Sequence, residues 1–379
     1  MVAAAWAICL LLLYWMVASI GYPLRDPDST LYEGIAAQLS GRPVREWIAP
    51  LFPPGRFKEG LFLEHLAVFF WPAAALGKLG FSRGALLANF LYFAGCLYLL
   101  FKLAASVADE AVAWGAVWSY ALSPLGIQYL LRANHENAWA MAFLGGFVCL
   151  RELPRSRWSG IGFSIAGLCA FAVKGVLALS FFPAMLAFWL VVSRRLRDLR
   201  WFVLAALLIA AFAAAYELAF RRATGQPFFA PYVAIQAGYV ASFEHRALFQ
   251  KLLNPFYYLA NILWFALPGS LGAALGFWRA LRRRAPLGLD QWTAISGSGT
   301  LVVLLSAMTR RAVRYIFPAY ALVHVPGART LLELFPAVRG FFQGRRVLLP
   351  YLLMAALLVV LPLRVAFDLR FYRFVRIFE

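Results

Sequence analysis

The sequence predicts an all-α polytopic membrane protein, and three observations lead to that fold class. Hydrophobic residues make up 63% of the 379-residue chain and charged residues only 14%, a balance that soluble domains do not reach. The mean hydropathy is +0.73. Strong apolar runs recur along the chain, and short basic clusters separate them. We therefore expect a single transmembrane domain over residues 1–379.

Residues 1–20 form the first predicted span. They are apolar and contain no Lys or Arg, whereas a cleaved signal peptide normally begins with positive charge. We therefore expect this span to be retained, with its N-terminus inside. Residues 21–83 follow as a first external loop with juxtamembrane helices. Within that loop, segment 61–79 carries Glu64, His65 and Pro72, which favours an interfacial or re-entrant piece over a full crossing.

The later spans are predicted from the apolar runs and from the basic clusters that belong inside. Counting from those clusters gives about eleven transmembrane helices, with the C-terminus outside. It also places 132–137 outside and makes 221–256 a second large external loop, long enough to cover a site. The inside clusters are 151–157, 194–197, 282–284 and 345–346. The apolar runs are 84–101, 111–130, 137–150, 159–173, 176–193, 200–220, 257–278, 290–308, 315–333 and 346–364.

The net charge of +19 does not point to a nucleic-acid partner. The basic residues come in short clusters between apolar runs, where they set topology and contact anionic lipid headgroups. The four cysteines fall inside apolar runs without metal spacing, and the four histidines are scattered. No cofactor is therefore expected; a divalent metal is possible but not indicated.

The stretch 25–41 combines an acidic pair with the predicted exit of the first span. Asp26 and Asp28 lie two residues apart, and Asp28 precedes a short predicted helix. Its carboxylate could simply cap that helix. A catalytic carboxylate is the interpretation we favour, because the chain has few acids and uncompensated charge is costly at a membrane surface.

Four cations oppose the usual charge bias. Lys174, Arg310, Arg311 and Arg314 fall at the external ends of predicted spans, where positive residues are normally scarce. A topology shifted by one span would explain them. A bound anion would also explain them, because clustered Arg and Lys match the geometry and charge of a phosphate.

Polar residues from distant parts of the chain fall on the same predicted side of the membrane. Acids with a surplus of cations suit chemistry on a phosphorylated lipid: a carboxylate takes a proton from an acceptor hydroxyl while cations stabilise the departing phosphate. The groups are Asp26, Asp28 and Tyr32; Arg56, Lys58 and Glu59; Arg132, Asn134, His135, Glu136 and Asn137; Lys174; and Arg310, Arg311, Arg314 and Tyr315.

Four motifs follow one another in order over residues 1–335. They are Asp-Ser-Thr-Leu-Tyr-Glu-Gly-Ile-Ala at 28–36, Ser123-Pro124 followed by 132–137, Lys174-Gly175 between two runs, and Arg-Ala-Val-Arg-Tyr-Ile-Phe-Pro at 311–318. Their order and spacing resemble the membrane glycosyltransferases with the GT-C fold, in particular the protein O-mannosyltransferase and aminoarabinose transferase group.

The sequence departs from that group's pattern at three places. Ser29 stands where the group usually has Glu, and Asn137 stands where Asp is common. The run Lys58-Glu59-Gly60 only loosely matches its Lys-Pro-Pro stretch. The reaction type is therefore expected to transfer to this chain better than the identity of the substrate.

The resemblance implies an inverting transfer of a sugar from a polyprenyl-phosphate donor to a lipid, glycan or protein acceptor. It implies a bacterial inner-membrane protein whose site faces the periplasm, with Asp28 as general base. Lys58, Lys174, Arg311 and Arg314 would bind the carrier phosphate, and Tyr32, Tyr315, His135 and Glu136 would shape the sugar pocket. Asp26, Glu59, Arg132 and Asn137 are further candidate substrate-binding residues.

Two other classes of protein remain open at this point. A transporter or flippase of an anionic polyprenyl-linked lipid would have repeated halves or broken helices aimed at the bilayer midplane. A non-catalytic scaffold would not need Asp28. If Asp28 is the base, Asp28→Asn should abolish transfer and leave folding and carrier binding nearly unchanged.

Overall fold

The computed structural model describes residues 13–19, 27–53, 60–238, 245–308, 311–344 and 348–375, apart from the side chains of 27, 245–248, 250 and 365–375. Almost all of this part of the chain is helical, and short 3-10 turns join several of the helices.

The α-helices are numbered here in chain order. They are α1 (13–19), α2 (Pro27–Ser40), α3 (Trp71–Lys78), α4 (Gly84–Val107), α5 (Glu110–Ala121), α6 (Pro124–Leu130), α7 (Glu136–Glu152), α8 (Arg157–Lys174), α9 (Phe181–Val192), α10 (Leu199–Thr224), α11 (Phe229–Gly238), α12 (His245–Phe265), α13 (Gly269–Arg283), α14 (Leu289–Ala294), α15 (Thr300–Ser306), α16 (Phe317–Leu334), α17 (Pro336–Gly344) and α18 (Leu349–Val375).

Helix starts follow local capping rules. The Asp109 carboxylate accepts a hydrogen bond from the Val112 amide at 3.0 Å and so caps α5. Ser123 caps α6 through the Gly126 amide at 3.0 Å, and Pro124 occupies the first helical position. The apolar run 111–130 is therefore two helices, because the Ser-Pro step ends one and begins the next.

The apolar helices make this an integral membrane protein, but the predicted count of about eleven spans is not confirmed. Within the described residues, three helical stretches are long and apolar enough to cross a membrane. They are Gly84–Val107 (α4), Arg157–Val192 (α8 and α9 with the 3-10 turn between them) and Leu196–Thr224 (α10 with the 3-10 turn before it). The number rises to five if two strongly bent helix pairs each count as one span. One bend, of 116°, separates Lys251–Phe265 from Gly269–Arg283 and divides the predicted run 257–278.

The two predicted loops also contain helices. Within 61–79, α3 has eight residues and follows the 3-10 turn Ala67–Phe70. At a rise of 1.5 Å per residue, α3 covers about 12 Å, much less than the hydrocarbon core of a bilayer. The stretch 221–256 includes the end of α10, all of α11 and the first half of α12.

The position of α2 is set by one buried face. Tyr32, Ile35, Ala36 and Leu39 recur at helical spacing on that face and are all buried. Phe62 of the first loop and Phe70 of the 3-10 turn before α3 pack in the same cluster as Tyr32 and Ile35. This packing holds α2 in place and leaves Asp28 near its N-terminus, in the first turn.

Candidate active site

Asp28 forms an ion pair with Arg314. The Arg314 guanidinium donates from Nη1 to Oδ2 of Asp28, joining residues 286 positions apart in the sequence. Arg314 lies in the 3-10 turn Val313–Ile316, just before α16, and the Tyr320 hydroxyl fixes that turn by donating to the Val313 carbonyl at 3.1 Å. The Arg314 and Asp28 side chains are 34% and 36% exposed, so a ligand can reach them.

The residue after Asp28 connects α2 to the second polar motif. The Ser29 hydroxyl oxygen is buried and accepts a hydrogen bond from the Ala133 amide at 3.0 Å. A short neutral side chain suits this close contact between α2 and the backbone. The contact brings the motif at 132–137 beside Asp28.

Tyr32 lies one helical turn beyond Asp28, which places both residues on the same side of α2. Its hydroxyl shares a hydrogen bond of 3.1 Å with Nε2 of His65. Its ring centroid is 5.3 Å from that of His135, and the two imidazole rings are 4.4 Å apart. Tyr32 and the two histidines therefore form one polar aromatic cluster against α2.

Both histidines are neutral in the folded protein. Burial lowers the pKa of His135 well below its usual value, and the charge of Lys174 lowers it further. Burial also lowers the pKa of His65, with added contributions from His135 and Lys174. Both residues lie outside the helices long enough to span the membrane.

Acid is therefore expected to destabilise the fold through His135. An unfolded histidine takes up its proton near pH 6.5, whereas buried His135 does not, so below that pH the unfolded state binds more protons. The free energy of unfolding should fall by up to about 1.4 kcal/mol per pH unit for this group as the pH drops from about 6.5 to 5. Melting temperatures of the detergent-purified protein should show this loss, and His135→Gln should lose less. Identical pH profiles for the two proteins would contradict the assignment.

Lys174 is engaged in a second, more buried ion pair. Its Nζ donates to Oε1 of Glu136 at 3.0 Å, and the Lys174 and Glu136 side chains are only 4% and 1% exposed. Glu136 also lies 3.4 Å from Nε2 of His135, and Nζ of Lys174 lies 5.5 Å from the Trp139 ring centroid. Removing either charge from such a pair typically costs about 3–5 kcal/mol, because the other is left buried without compensation.

The backbone after Lys174 requires glycine. Gly175 has φ +57°, and a Cβ there would lie 1.8 Å from the Tyr232 hydroxyl oxygen. That hydroxyl accepts from the Val176 amide at 3.1 Å, which ties α11 to the end of α8. The α11 side chain Gln236 also donates to the Glu64 carbonyl at 3.4 Å, so α11 connects the Lys174 region with the first loop.

The other predicted site residues occupy varied environments. Arg311 lies over the ring of Tyr257 at 5.6 Å and Arg132 over that of Tyr129 at 5.1 Å, while Tyr315 is buried. The Asn137 amide donates to Oδ1 of Asn89 at 3.0 Å. Asn137 is therefore held in the contact between α7 and α4, and its predicted substrate contact remains a prediction.

The predicted cations divide into two sets of contacts among the described residues. Lys174 pairs with Glu136. Arg314, three residues after Arg311, pairs with Asp28. The expectation that Lys174, Arg311 and Arg314 surround one phosphate stays a prediction. Asp26, Lys58 and Glu59 lie outside the described residues.

A groove of about 390 Å³ has almost entirely apolar walls. Its walls come from the segment after Lys174, from α11 and from the end of α15, with Val176, Leu179, Val233 and Leu304 among them. Met308 also lines the groove and is three residues before Arg311. Two of its lining residues, Val176 and Met308, are therefore close in sequence to Lys174 and Arg311.

Solved structures with the same architecture exist despite low sequence identity. ArnT from Cupriavidus metallidurans, solved bound to undecaprenyl phosphate, matches with a TM-score of 0.69 and 15% identity over 90% of this chain and 62% of that one. Its apo structure gives a TM-score of 0.66. The apo oligosaccharyltransferase of Archaeoglobus fulgidus gives 0.53 and 14% identity, over 94% of this chain and 55% of that one.

This chain has the GT-C fold. The fold predicted from the four motifs is thus confirmed. The chain spans about three-fifths of the length of the matched ArnT chain. No protein-family model and no curated protein sequence matches it.

Two residues of the candidate site, His65 and Ser29, were not predicted from the sequence. His65 contacts Tyr32, and the signal for it in the sequence is the polar Glu64-His65 pair inside an apolar segment. Ser29 departs from the expected motif, and the structure shows its hydroxyl oxygen bound to the Ala133 amide of the 132–137 segment. Among the described residues, no group of three or more His, Cys, Asp or Glu side chains is arranged to hold a metal ion.

Proposed function

We propose that this protein transfers a sugar from a polyprenyl-phosphate donor to an acceptor hydroxyl, with Asp28 as general base. The observation that carries the proposal is the reachable ion pair between the Asp28 carboxylate and the Arg314 guanidinium. A carboxylate beside a guanidinium supports the proposal, because the reaction needs a base and a phosphate-binding cation close together. The shared fold with an enzyme solved bound to undecaprenyl phosphate supports the choice of carrier.

The reaction divides the work between these side chains. Asp28 accepts the proton of the acceptor hydroxyl, whose oxygen attacks the anomeric carbon of the donor sugar. The bond between that carbon and the phosphate oxygen breaks, and the phosphate leaves with the electron pair. Arg314 and Arg311 donate to the phosphate oxygens as charge develops on them. Attack opposite the leaving group inverts the anomeric carbon.

The surroundings suit an amphiphilic donor. The groove beside Val176 and Met308 offers apolar walls for part of an isoprenoid chain, close in sequence to the cations that would hold its phosphate. Tyr32, His65 and His135 form an uncharged cluster on the same face of α2 as Asp28, which suits the hydroxyls and ring of a sugar. The site is expected to face the periplasm of a bacterial inner membrane.

A flippase for the same class of lipid is the second candidate. The helix pair broken by 116° between Phe265 and Gly269 is the feature that favours it, because transporters use discontinuous helices. A flippase would move the donor across the bilayer without breaking a covalent bond, whereas a transferase releases undecaprenyl phosphate from it.

Reconstitution into liposomes tests the proposal. The purified protein should bind undecaprenyl phosphate but not undecaprenol, which lacks the phosphate, and this binding should protect the protein against thermal unfolding. Added to a bacterial extract containing lipid-linked sugars and acceptors, it should release undecaprenyl phosphate. Equal stabilisation by both lipids would contradict a phosphate site. Redistribution of the lipid-linked sugar without cleavage would favour the flippase.

A further inference from the structure

The ion pair also predicts how the proposed site is regulated. We propose that Asp28 and the donor phosphate compete for Arg314, so that donor binding frees Asp28 to act as the base. This inference rests on the proposed function and extends it: the contact between Asp28 and Arg314 is the resting state of the enzyme. The base is engaged until a donor arrives.

Competition follows from the chemistry of the three groups. A guanidinium presents its donors in a planar fork that fits either a carboxylate or a phosphate. A phosphate that binds Nη1 displaces the carboxylate, because Nη1 is the Arg314 atom that contacts Asp28. It also brings negative charge close to Asp28, and like charges at short range repel one another. Both effects separate Asp28 from Arg314 when the donor binds.

The exposure of the pair allows this exchange. Both side chains are about one-third exposed, so an incoming anion can reach the guanidinium without opening the core. The pair of Lys174 and Glu136 differs, because its charges are almost completely buried. An exchange there would leave the Glu136 carboxylate buried without a counter-ion. Of these two ion pairs, only that of Asp28 and Arg314 is exposed enough for an incoming anion to separate its charges.

The exchange changes what Asp28 can do. A carboxylate that accepts a charge-assisted hydrogen bond from Arg is a weaker base than a free one. Once Arg314 turns to the phosphate, Asp28 loses its counter-ion and gains a negative neighbour, and both changes increase its affinity for a proton. The base therefore gains strength only when a donor is in place beside it.

The mutual exclusion gives an unusual expectation for binding. Coupling between two ligands of one group is reciprocal, so removing the charge of Asp28 should strengthen phosphate binding. Asp28→Asn should therefore bind undecaprenyl phosphate about fivefold more tightly, or better, which is the low end of typical couplings and suits a partly exposed pair. This differs from the unchanged carrier binding expected from the sequence alone.

A matched control is available at another exposed Asp–Arg pair. Nη2 of Arg339 lies 2.6 Å from Oδ2 of Asp109, and both side chains are as exposed as those of Asp28 and Arg314. Asp109→Asn keeps the side-chain oxygen that caps α5 and should leave lipid affinity unchanged. Asp28→Glu keeps the competing charge and should bind undecaprenyl phosphate with an affinity near that of the wild type.

Equilibrium binding of undecaprenyl phosphate to detergent-purified wild type and variants decides the question. Tighter binding by Asp28→Asn, together with unchanged binding by Asp109→Asn and Asp28→Glu, is the expected result. Equal or weaker binding by Asp28→Asn would overturn the competition and leave the proposed function standing. Absence of phosphate-dependent binding in the wild type would overturn the proposed function and this inference together.

Discussion

Asp28→Asn is expected to lower the rate of sugar transfer by about 10² to 10⁴, the usual effect of losing a positioned general base. The asparagine amide keeps the shape of the side chain but cannot accept the proton of the acceptor hydroxyl. Because α2 is held by the buried face formed by Tyr32, Ile35 and Leu39, the fold should tolerate the change.

Single-turnover release of undecaprenyl phosphate from a lipid-linked sugar measures this loss, because it separates the chemical step from donor binding. Asp109→Asn serves as the matched variant and should react at the wild-type rate. Turnover by Asp28→Asn close to that of the wild type would remove Asp28 from the base role. Asp26 would then be the candidate.

Arg314→Ala is expected to weaken donor binding most among the predicted cations. A charge-assisted hydrogen bond contributes about 1.5–3 kcal/mol, which corresponds to roughly 10- to 150-fold in affinity. Arg314→Lys should already weaken binding, because an ammonium group cannot hold two phosphate oxygens as a planar guanidinium can. An arginine that served only as a lipid anchor would tolerate lysine.

Binding of undecaprenyl phosphate to the two variants checks this expectation. Arg329→Lys is a suitable control, because Arg329 pairs with Asp290 and Glu333 rather than with Asp28. It should bind the lipid as the wild type does. Unchanged affinity in both Arg314 variants would place the phosphate site elsewhere.

The buried ion pair of Glu136 and Lys174 changes the role expected for Lys174 in phosphate binding. From sequence, Lys174 was a third phosphate ligand at the end of a span. In the folded protein its charge is matched by Glu136, and a matched, buried charge has little left to offer a ligand. Its contacts make Lys174 a support for the His135 and Glu136 segment, while Arg314 is the predicted cation that contacts Asp28.

The composition alone determined the class of this protein. A chain that is 63% hydrophobic has too little polar surface to fold in water as a soluble domain, so a helical membrane protein follows directly. The four short motifs predicted the fold as well. The order of residues such as Asp28, Lys174-Gly175 and Arg314 along the chain resembles that in the GT-C glycosyltransferases. A short helix in this stretch was also predicted, but not its start: α2 begins at Pro27, so Asp28 lies within its first turn and not before it as a cap.

Only the tertiary structure decided the count of spans and the partner of each charge. Hydropathy is averaged along the chain, so the run 257–278 looks continuous although the helix turns through 116° before Gly269. Asp28 and Arg314 are 286 positions apart, and either could have faced Lys174 or Glu136 instead. Helix packing sets which opposite charges meet. The attraction between two charges weakens as their distance in space grows, whatever their separation in the sequence.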